Sequence, residues 1–134
     1  AAIAASLAFP EKKVISFVGD GGFQMSGLEI STAIQHKLNL IIVIFNNASY
    51  GTIRMHQELT YPNRVIGTDL KNPDFVALAR SMGANGEKVN TSDEFFIVFE
   101  RFLSMRQVSV VELVLPVENI TSRFDLKDIS EIRK

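Results

Sequence analysis

The chain has 134 residues, which is a typical length for one domain, and 46% of them are apolar while 22% are charged. Fourteen basic and fifteen acidic residues give a net charge of -1, so no basic surface for nucleic acid or an anionic membrane is expected. The absence of cysteine excludes a disulfide framework, a thiolate metal site and a cysteine nucleophile.

The beginning of the chain is rich in alanine and predicts a helix over residues 1–9, stopped by Pro10. No basic residue precedes it and Lys12 and Lys13 follow it, the wrong polarity for a secretion signal, so we expect a cytoplasmic protein. Neither an initiator Met nor a cap precedes the helix, so we expect a domain truncated at its N-terminus. We predict a domain over residues 1–116 and a tail over 117–134, with a short helix at 126–133.

The first buried strand is predicted at residues 14–18, which are almost all apolar and rich in β-branched side chains. After the glycines that follow, Ser26 and Glu29 predict a capping box for a helix. One side of that helix would carry Leu28, Ile30, Ala33, Ile34 and Leu38. A second buried strand is predicted at residues 40–45, which is too short to span a membrane.

The second half of the chain begins with an irregular segment at residues 48–69, with a short helix at 52–57. Asn72, Pro73 and Asp74 open a helix with Phe75, Leu78, Ala79 and Met82, closed by Gly83. A short strand at 87–89 precedes a helix that begins at Ser92. Its predicted inward side chains are Phe95, Phe96, Phe99, Phe102 and Leu103. A last strand is predicted at 108–115, stopped by Pro116.

Strands that alternate with helices predict an α/β fold, a doubly wound and mostly parallel sheet with helices on both faces. Ligands of such sheets bind beyond the carboxyl ends of the strands. Two of these ends carry unusual residues, because the run from Gly19 to Gly22 follows the first strand, and Asn46 and Asn47 follow the second.

The glycines after the first strand would let backbone N–H groups approach a phosphate at a helix N-terminus. Neither common nucleotide fingerprint fits. The pattern GxxxxGK(S/T) is absent, and in GxGxxG the position of the third glycine is occupied by Gln24. Asp20 lies inside this loop, where its charge would repel a diphosphate unless a cation separated them. Mg²⁺ binds about six oxygens and shares them with substrate phosphates, so Asp20, an amide oxygen from the Asn pair and a carbonyl such as that of Ser49 form a candidate site. Each motif alone is more often an ordinary turn.

The spacing between the two motifs carries a resemblance to a known family. Twenty-four residues, 22–45, separate the Gly-Asp-Gly run from Asn46, which matches the cofactor signature of thiamine diphosphate enzymes. The surrounding residues resemble the acetolactate synthase and 2-oxoacid decarboxylase group, as in the run from Ala8 to Ile15 and in Asn72 with the residues after it. The resemblance covers nearly the whole chain and is that of the C-terminal diphosphate-binding domain.

The resemblance implies the ligands of the cofactor and its metal. Asp20, the side chain of Asn47 and the carbonyl of Ser49 would hold Mg²⁺. Thiamine diphosphate would be bound by Gly19, Asp20, Gly21, Gly22, Phe23, Asn47, Ser49, Tyr50, Gly51 and Thr52. No residue of this chain matches the glutamate that activates the cofactor, which the family carries on the pyrimidine-binding domain of a partner subunit. The isolated chain is therefore expected to be inactive.

The resemblance also implies an activity, the decarboxylation of a 2-oxo acid and transfer of the resulting carbanion to an acceptor, which makes the enzyme a lyase or a transferase. A homodimer or homotetramer is implied for the full-length protein. A simple decarboxylase of the benzoylformate type is the alternative within the class. Outside it, a non-catalytic nucleotide or metal-phosphate binding module and a purely structural fragment stay open.

The short helix after the double asparagine departs from the acetolactate synthase pattern. Thr52 replaces a methionine, and His56 replaces a tryptophan that the family carries near the substrate entrance. Arg54 stands near the position where decarboxylases of the group often have a glutamate, and its cation could favour a substrate that bears a carboxylate. Arg54 and His56 are therefore candidates for facing the substrate, and a solvated helix face is the simpler interpretation.

Overall fold

A computed structural model describes residues 1–118 of the chain. The strands are β1 (Val14–Gly19), β2 (Leu40–Asn46), β3 (Asn85–Val89) and β4 (Ser109–Val114). The helices are α1 (Ala2–Ala8), α2 (Asp20–Ser26), α3 (Ile30–Gln35), α4 (Gly51–Thr60), α5 (Phe75–Ser81) and α6 (Ser92–Ser104). A 3-10 turn, Gly27–Glu29, connects α2 to α3.

The four strands form one parallel sheet in the order β1-β2-β4-β3. The first five residues of β2 are all buried, because this apolar, β-branched run lies at the centre of the sheet between β1 and β4. Gly19 pairs with Phe45, and Asn46 pairs with Val114. The carboxyl ends of β1, β2 and β4 therefore lie side by side at one edge.

Two hydrophobic clusters cover the two faces of the sheet. On one face, Leu40, Ile42 and Ile44 of β2 pack with buried side chains of α2, α3 and α5. On the other face, Ile41 and Val43 pack with α6. The predicted doubly wound α/β fold, with helices on both faces, is thereby confirmed.

The helix predicted after Asn72 and Pro73 is confirmed as α5. The side chain of Asp74 accepts a hydrogen bond from Ala77 N–H at 2.8 Å and so caps the helix. After the helix, Gly83 has a φ of +96°, a backbone conformation that residues with a Cβ rarely adopt.

The capping box predicted at Ser26 and Glu29 is wrong. The helix begins earlier, at Asp20, because β1 leads directly into it, and Ser26 is the last residue of α2 with no capping hydrogen bond. Leu28 falls in the 3-10 turn, whose tighter winding rotates it outward, and it is 69% exposed. The prediction that Leu28 faces the core is therefore wrong.

The inward face predicted for the helix that begins at Ser92 is partly wrong. The helix, α6, begins at Ser92 as predicted, and Thr91 caps it, since its side chain accepts a hydrogen bond from Glu94 N–H at 3.2 Å. Phe96 is 60% exposed and Leu103 is 42% exposed. The inward stripe instead includes the buried Val98 and Phe102, with Phe95 and Phe99 packed beside them.

The irregular segment predicted at residues 48–69 contains a helix longer than expected, α4, in which no residue is buried. The ends of the segment meet, because Ser49 forms an antiparallel bridge with Asp69 and Leu70 N–H donates to Ala48 O at 2.9 Å. Within residues 1–118, no helix is long and apolar enough to cross a membrane. The helix predicted at 126–133 lies outside the described residues, and the boundary at residue 116 stays a prediction.

Candidate functional site

The sheet brings the two sequence motifs together at its carboxyl edge. Asp20 is the first residue of α2 and follows β1 directly, while Asn46 is the last residue of β2. Because Gly19 pairs with Phe45, the residues that follow these two, Asp20 and Asn46, lie side by side at the carboxyl ends of β1 and β2. The side chain of Asp20 is only 2% exposed. This carboxylate is therefore buried where a ligand is expected.

Asn72 joins the two motifs, although it was predicted only to open a helix and was not among the candidate site residues. Its Nδ2 group donates to Asp20 Oδ2 and to Asn46 Oδ1, each at 2.7 Å. Its own Oδ1 accepts from Gln24 Nε2 at 2.6 Å. The polar signal at this position, an asparagine just before Pro73, is ordinary for a loop, so the sequence alone offers no reason to select it.

Asp20 carries its charge without a cationic partner in the described part of the chain. Its Oδ1 accepts the N–H of Gly21 at 2.8 Å, and its Oδ2 accepts from Asn72. Among residues 1–118 no lysine, arginine or histidine lies within ion-pair distance of it. A buried carboxylate is costly unless its charge is compensated, so this position fits a bound cation.

Asn47 and Ser49 occupy the loop between β2 and α4. Ser49 N–H donates to Asn47 Oδ1 at 3.2 Å, and Gly51 N–H donates to Ser49 O at 2.9 Å. Between them Ala48 has a φ of +53°, a strained conformation of the kind that clusters at functional sites. The amide oxygen of Asn47 and the carbonyl oxygen of Ser49 are hard ligands of the kind that binds Mg²⁺.

No cluster of three acidic, histidine or cysteine side chains that could hold a metal occurs among residues 1–118. A metal at Asp20 would therefore take its remaining ligands from amide or carbonyl oxygens and from the phosphates it neutralises. That donor set fits Mg²⁺, which is usually held by one or two carboxylates together with substrate phosphates.

The ring of Tyr50 lies against the backbone of Gly21. A Cβ at Gly21 would lie 2.4 Å from Tyr50 Cε1, so the glycine is required by this close approach. Phe23 has a different environment, because its ring is buried and packs edge-on against Phe75 with ring centroids 5.2 Å apart. A cofactor contact from Phe23 would therefore come from its backbone.

The predicted substrate-facing residues lie on α4. Arg54 is mostly covered, lies 3.8 Å from Asp69 Oδ1, and has a buried Nε with no hydrogen-bond partner among the described residues. His56 and Thr52 are exposed on the same helix, which starts at Gly51. Among residues 1–118, no hydrogen bond or ion pair links the side chain of Arg54 or His56 directly to Asp20.

Glu112 is a buried carboxylate that the sequence analysis missed. It lies on β4, is 1% exposed, and accepts a hydrogen bond from Asn46 Nδ2 at 2.7 Å. Lys88 Nζ lies 3.1 Å from the same oxygen. A charged residue inside the apolar run of β4 was a usable signal, because central strands of parallel sheets are nearly all apolar.

Comparison with known proteins points to one family. The sequence profile described as "Thiamine pyrophosphate enzyme, C-terminal TPP binding domain" matches residues 1–113. The acetolactate synthase large subunit of Buchnera aphidicola subsp. Schlechtendalia chinensis is 40% identical over 95 residues, which are 70% of this chain and 17% of that protein. The mitochondrial acetolactate synthase of Schizosaccharomyces pombe is 36% identical over 115 residues, 86% of this chain and 17% of that protein.

The fold comparison agrees with the sequence comparison. The crystal structure of benzoylformate decarboxylase from Polynucleobacter necessarius matches with a TM-score of 0.82 and 33% identity. The match covers 87% of this chain and 23% of that one. The chain thus spans about a fifth of the length of these proteins.

Proposed function

Because the chain belongs to the thiamine pyrophosphate enzymes, as their C-terminal TPP-binding domain, we propose that it anchors thiamine diphosphate through Mg²⁺. The metal ligands would be the carboxylate of Asp20, the side chain of Asn47 and the carbonyl of Ser49. The observation that carries this proposal is the buried Asp20, which has only neutral hydrogen-bond donors around it in the described part of the chain. Thiamine pyrophosphate and thiamine diphosphate are the same cofactor.

The backbone around Asp20 would bind the diphosphate of the cofactor. Gly21 and Gly22 lie in the first turn of α2, where backbone N–H groups have no backbone carbonyl partner within the helix. The Gly22 N–H, and the Gly21 N–H that here donates to Asp20 Oδ1, would donate to phosphate oxygens. Tyr50, which packs on Gly21, and the start of α4 at Gly51 and Thr52 would enclose the other side. Gly19 and Phe23 would contribute through their backbones.

We propose that the full-length protein is an acetolactate synthase-like enzyme. It would decarboxylate a 2-oxo acid and join the product to an acceptor carbonyl, as a lyase or a transferase. The cofactor, when bound, supplies an electron sink for this decarboxylation. The matches to acetolactate synthases from a bacterium and a yeast support the assignment.

Arg54 is our candidate for binding the carboxylate of the 2-oxo acid. Its contact with Asp69 is long, at 3.8 Å, and its Nε has no partner in the described residues, so the guanidinium retains unused donors. A planar guanidinium is well suited to a carboxylate. His56, an exposed residue of the same helix, would border the entrance to the substrate site.

The proposed catalytic unit needs a second domain. No catalytic glutamate is assigned to this chain, and we expect it on the pyrimidine-binding domain of a partner subunit in a homodimer or homotetramer. The isolated chain would then bind the cofactor without turning over substrate. The cytoplasmic location stays a prediction, and one of the relatives is named as mitochondrial.

Calorimetric titration of thiamine diphosphate into the chain tests the anchor site. We expect binding with Mg²⁺ that disappears when EDTA removes the metal, because the diphosphate and Asp20 repel each other without a cation. Asp20→Asn removes the one carboxylate assigned to the metal and should weaken Mg²⁺-dependent binding by at least roughly 10-fold, since even the loss of a residue that only orients a ligand typically costs about 10- to 100-fold in metal affinity. Asp93→Asn, on the exposed first turn of α6, is the matched control and should bind like the wild type.

Two results would contradict the proposal. Equal Mg²⁺-dependent affinity of the Asp20→Asn chain would show that the metal is held elsewhere. Equal or tighter binding of ATP or inorganic diphosphate would favour the alternative of a general metal-phosphate binding module.

A simple decarboxylase is the second candidate, favoured by the structural match to benzoylformate decarboxylase. The two activities differ in their product, since a carboligase joins two carbonyl compounds and a decarboxylase releases an aldehyde. Product analysis with the full-length enzyme distinguishes them.

A further inference from the structure

Glu112 is a buried charge to which the proposed function assigns no role. It shares a row of the sheet with Ile44 of β2 and Lys88 of β3. Its Oε1 contacts both Asn46 Nδ2, at 2.7 Å, and Lys88 Nζ, at 3.1 Å. Its Oε2 is buried without a hydrogen-bond partner among the described residues. Stability alone does not explain this carboxylate, since apolar side chains often replace buried ionic groups without loss of stability.

The contact with Glu112 decides which way the Asn46 amide points. A carboxylate only accepts hydrogen bonds, so Asn46 turns its NH2 group towards it. The amide oxygen then faces the other side, where it accepts from Ala48 N–H at 3.1 Å and from Asn72 Nδ2 at 2.7 Å. A flipped amide would set its NH2 group against both of these donors.

Asn72 extends this orientation to Asp20. Its Nδ2 donates to Asn46 Oδ1 and to Asp20 Oδ2, which uses both hydrogens of the NH2 group. Gln24 donates to its Oδ1 and holds the amide from the third side. A chain of polar contacts therefore fixes the rotation of the Asp20 carboxylate. It runs through Lys88, Glu112, Asn46 and Asn72 and ends at Asp20.

We propose that Glu112 is a positioning residue for the metal-diphosphate site. It orients Asn46 and, through Asn72, holds the Asp20 carboxylate in the rotation that binds Mg²⁺. The inference rests on the proposed function, because it takes Mg²⁺ as the ligand of Asp20. The hydrogen bond to Asn46 carries the effect, so an acceptor oxygen within reach of Asn46 is what matters. Lys88, which contacts the same oxygen of Glu112, would keep a glutamine oxygen there without the negative charge.

Two conservative variants separate reach from charge. Glu112→Gln keeps the length and an acceptor oxygen but loses the charge, whereas Glu112→Asp keeps the charge and is one methylene shorter. With saturating Mg²⁺, we expect the Kd for thiamine diphosphate to stay within about threefold of wild type in Glu112→Gln and to rise about tenfold or more in Glu112→Asp. Glu87→Gln, on the neighbouring strand β3 and paired with Arg101, is the control that should bind normally.

NMR of the side-chain NH2 group of Asn72, recorded without cofactor, is the second readout. Its signals should move in Glu112→Asp and keep their positions in Glu112→Gln. The opposite order in either measurement, or equal affinity of both variants, would overturn the inference. A wild-type chain that does not bind thiamine diphosphate with Mg²⁺ would refute the proposed function instead, and the NMR order would then decide by itself whether Glu112 orients Asn46 and Asn72.

Discussion

The close approach of Tyr50 to Gly21 shows how one missing Cβ shapes the site. Two ring carbons of Tyr50 lie 2.4 and 2.6 Å from the place where a Cβ at Gly21 would be, and Leu70 Cδ1 lies 3.3 Å from it. At Gly22, the next residue of α2, the nearest atom is Val18 Cγ2 at 3.3 Å. Only the first glycine is therefore demanded by a severe overlap.

Substitution of these two glycines by alanine should have different effects. Gly21→Ala forces the Tyr50 ring away and should lower the free energy of unfolding by about 1–3 kcal/mol. Gly22→Ala needs only a small shift of Val18, and alanine gains up to about 1 kcal/mol in a helix. Thermal unfolding of both variants tests this. A Gly21→Ala chain as stable as Gly22→Ala would mean that the Tyr50 ring moves without cost.

At the scale of single elements, Lys13 connects the loop before β1 to the end of α6. Its Nζ donates to the carbonyl of Phe102 at 2.7 Å and also to the carbonyl of Met105. Carbonyls at a helix C-terminus lack partners within the helix, so a lysine there satisfies them. Burial, and then the positive charge of Arg106, lower the pKa of Lys13 below its ordinary value of 10.5.

Lys13→Met should remove these hydrogen bonds and lower the free energy of unfolding by about 1 kcal/mol. The lowered pKa adds a pH dependence. Between the pKa of folded Lys13 and 10.5 the unfolded chain binds more protons, so the contribution of Lys13 to stability rises with pH across that window.

Denaturant unfolding of the wild type and of Lys13→Met, compared at several alkaline pH values, checks the sign. Lys12→Met, on the exposed neighbour, controls for the loss of a surface charge. A difference between wild type and Lys13→Met that falls as the pH rises would contradict the assigned direction of the pKa shift.

At the scale of the whole molecule, the edge strand β1 of the sheet carries apolar side chains that remain exposed. Within residues 1–118, β1 pairs only with β2, and its Phe17 is 63% exposed while Ile15 is 38% exposed. Phe17 touches Phe45 of β2, with ring centroids 6.0 Å apart, which extends the apolar surface along the sheet. An apolar edge strand is a template for pairing with another chain.

We therefore expect the chain to self-associate as its concentration rises, and Phe17→Ser to reduce the effect. Ile66→Ser is a suitable control, because Ile66 is 79% exposed but lies in a loop whose backbone is hydrogen-bonded to Gln57 of α4. Light scattering over a concentration series measures both. A wild-type chain that stays monomeric at every concentration would argue against an adhesive sheet edge.

The sequence by itself determined the fold class and the two motifs of the site. Short apolar runs of β-branched residues indicate buried parallel strands wherever they occur, and residues 14–18 and 40–45 both became strands. Glycines, an aspartate and paired asparagines at the ends of those runs are local signals. The distance between them matches a family whose membership the comparison confirms.

Only the tertiary structure revealed how Asn72 and Glu112 join the site. Asn72 meets Asn46 across 26 residues of sequence, and Asn46 meets Glu112 across 66. Periodicity reports which side of an element faces the core, but it carries no information on which distant polar groups become neighbours. The same reason explains Leu28, Phe96 and Leu103, whose exposure depends on where their helices begin and what packs on them. Partners of this kind are chosen by packing, and so they are visible only in three dimensions.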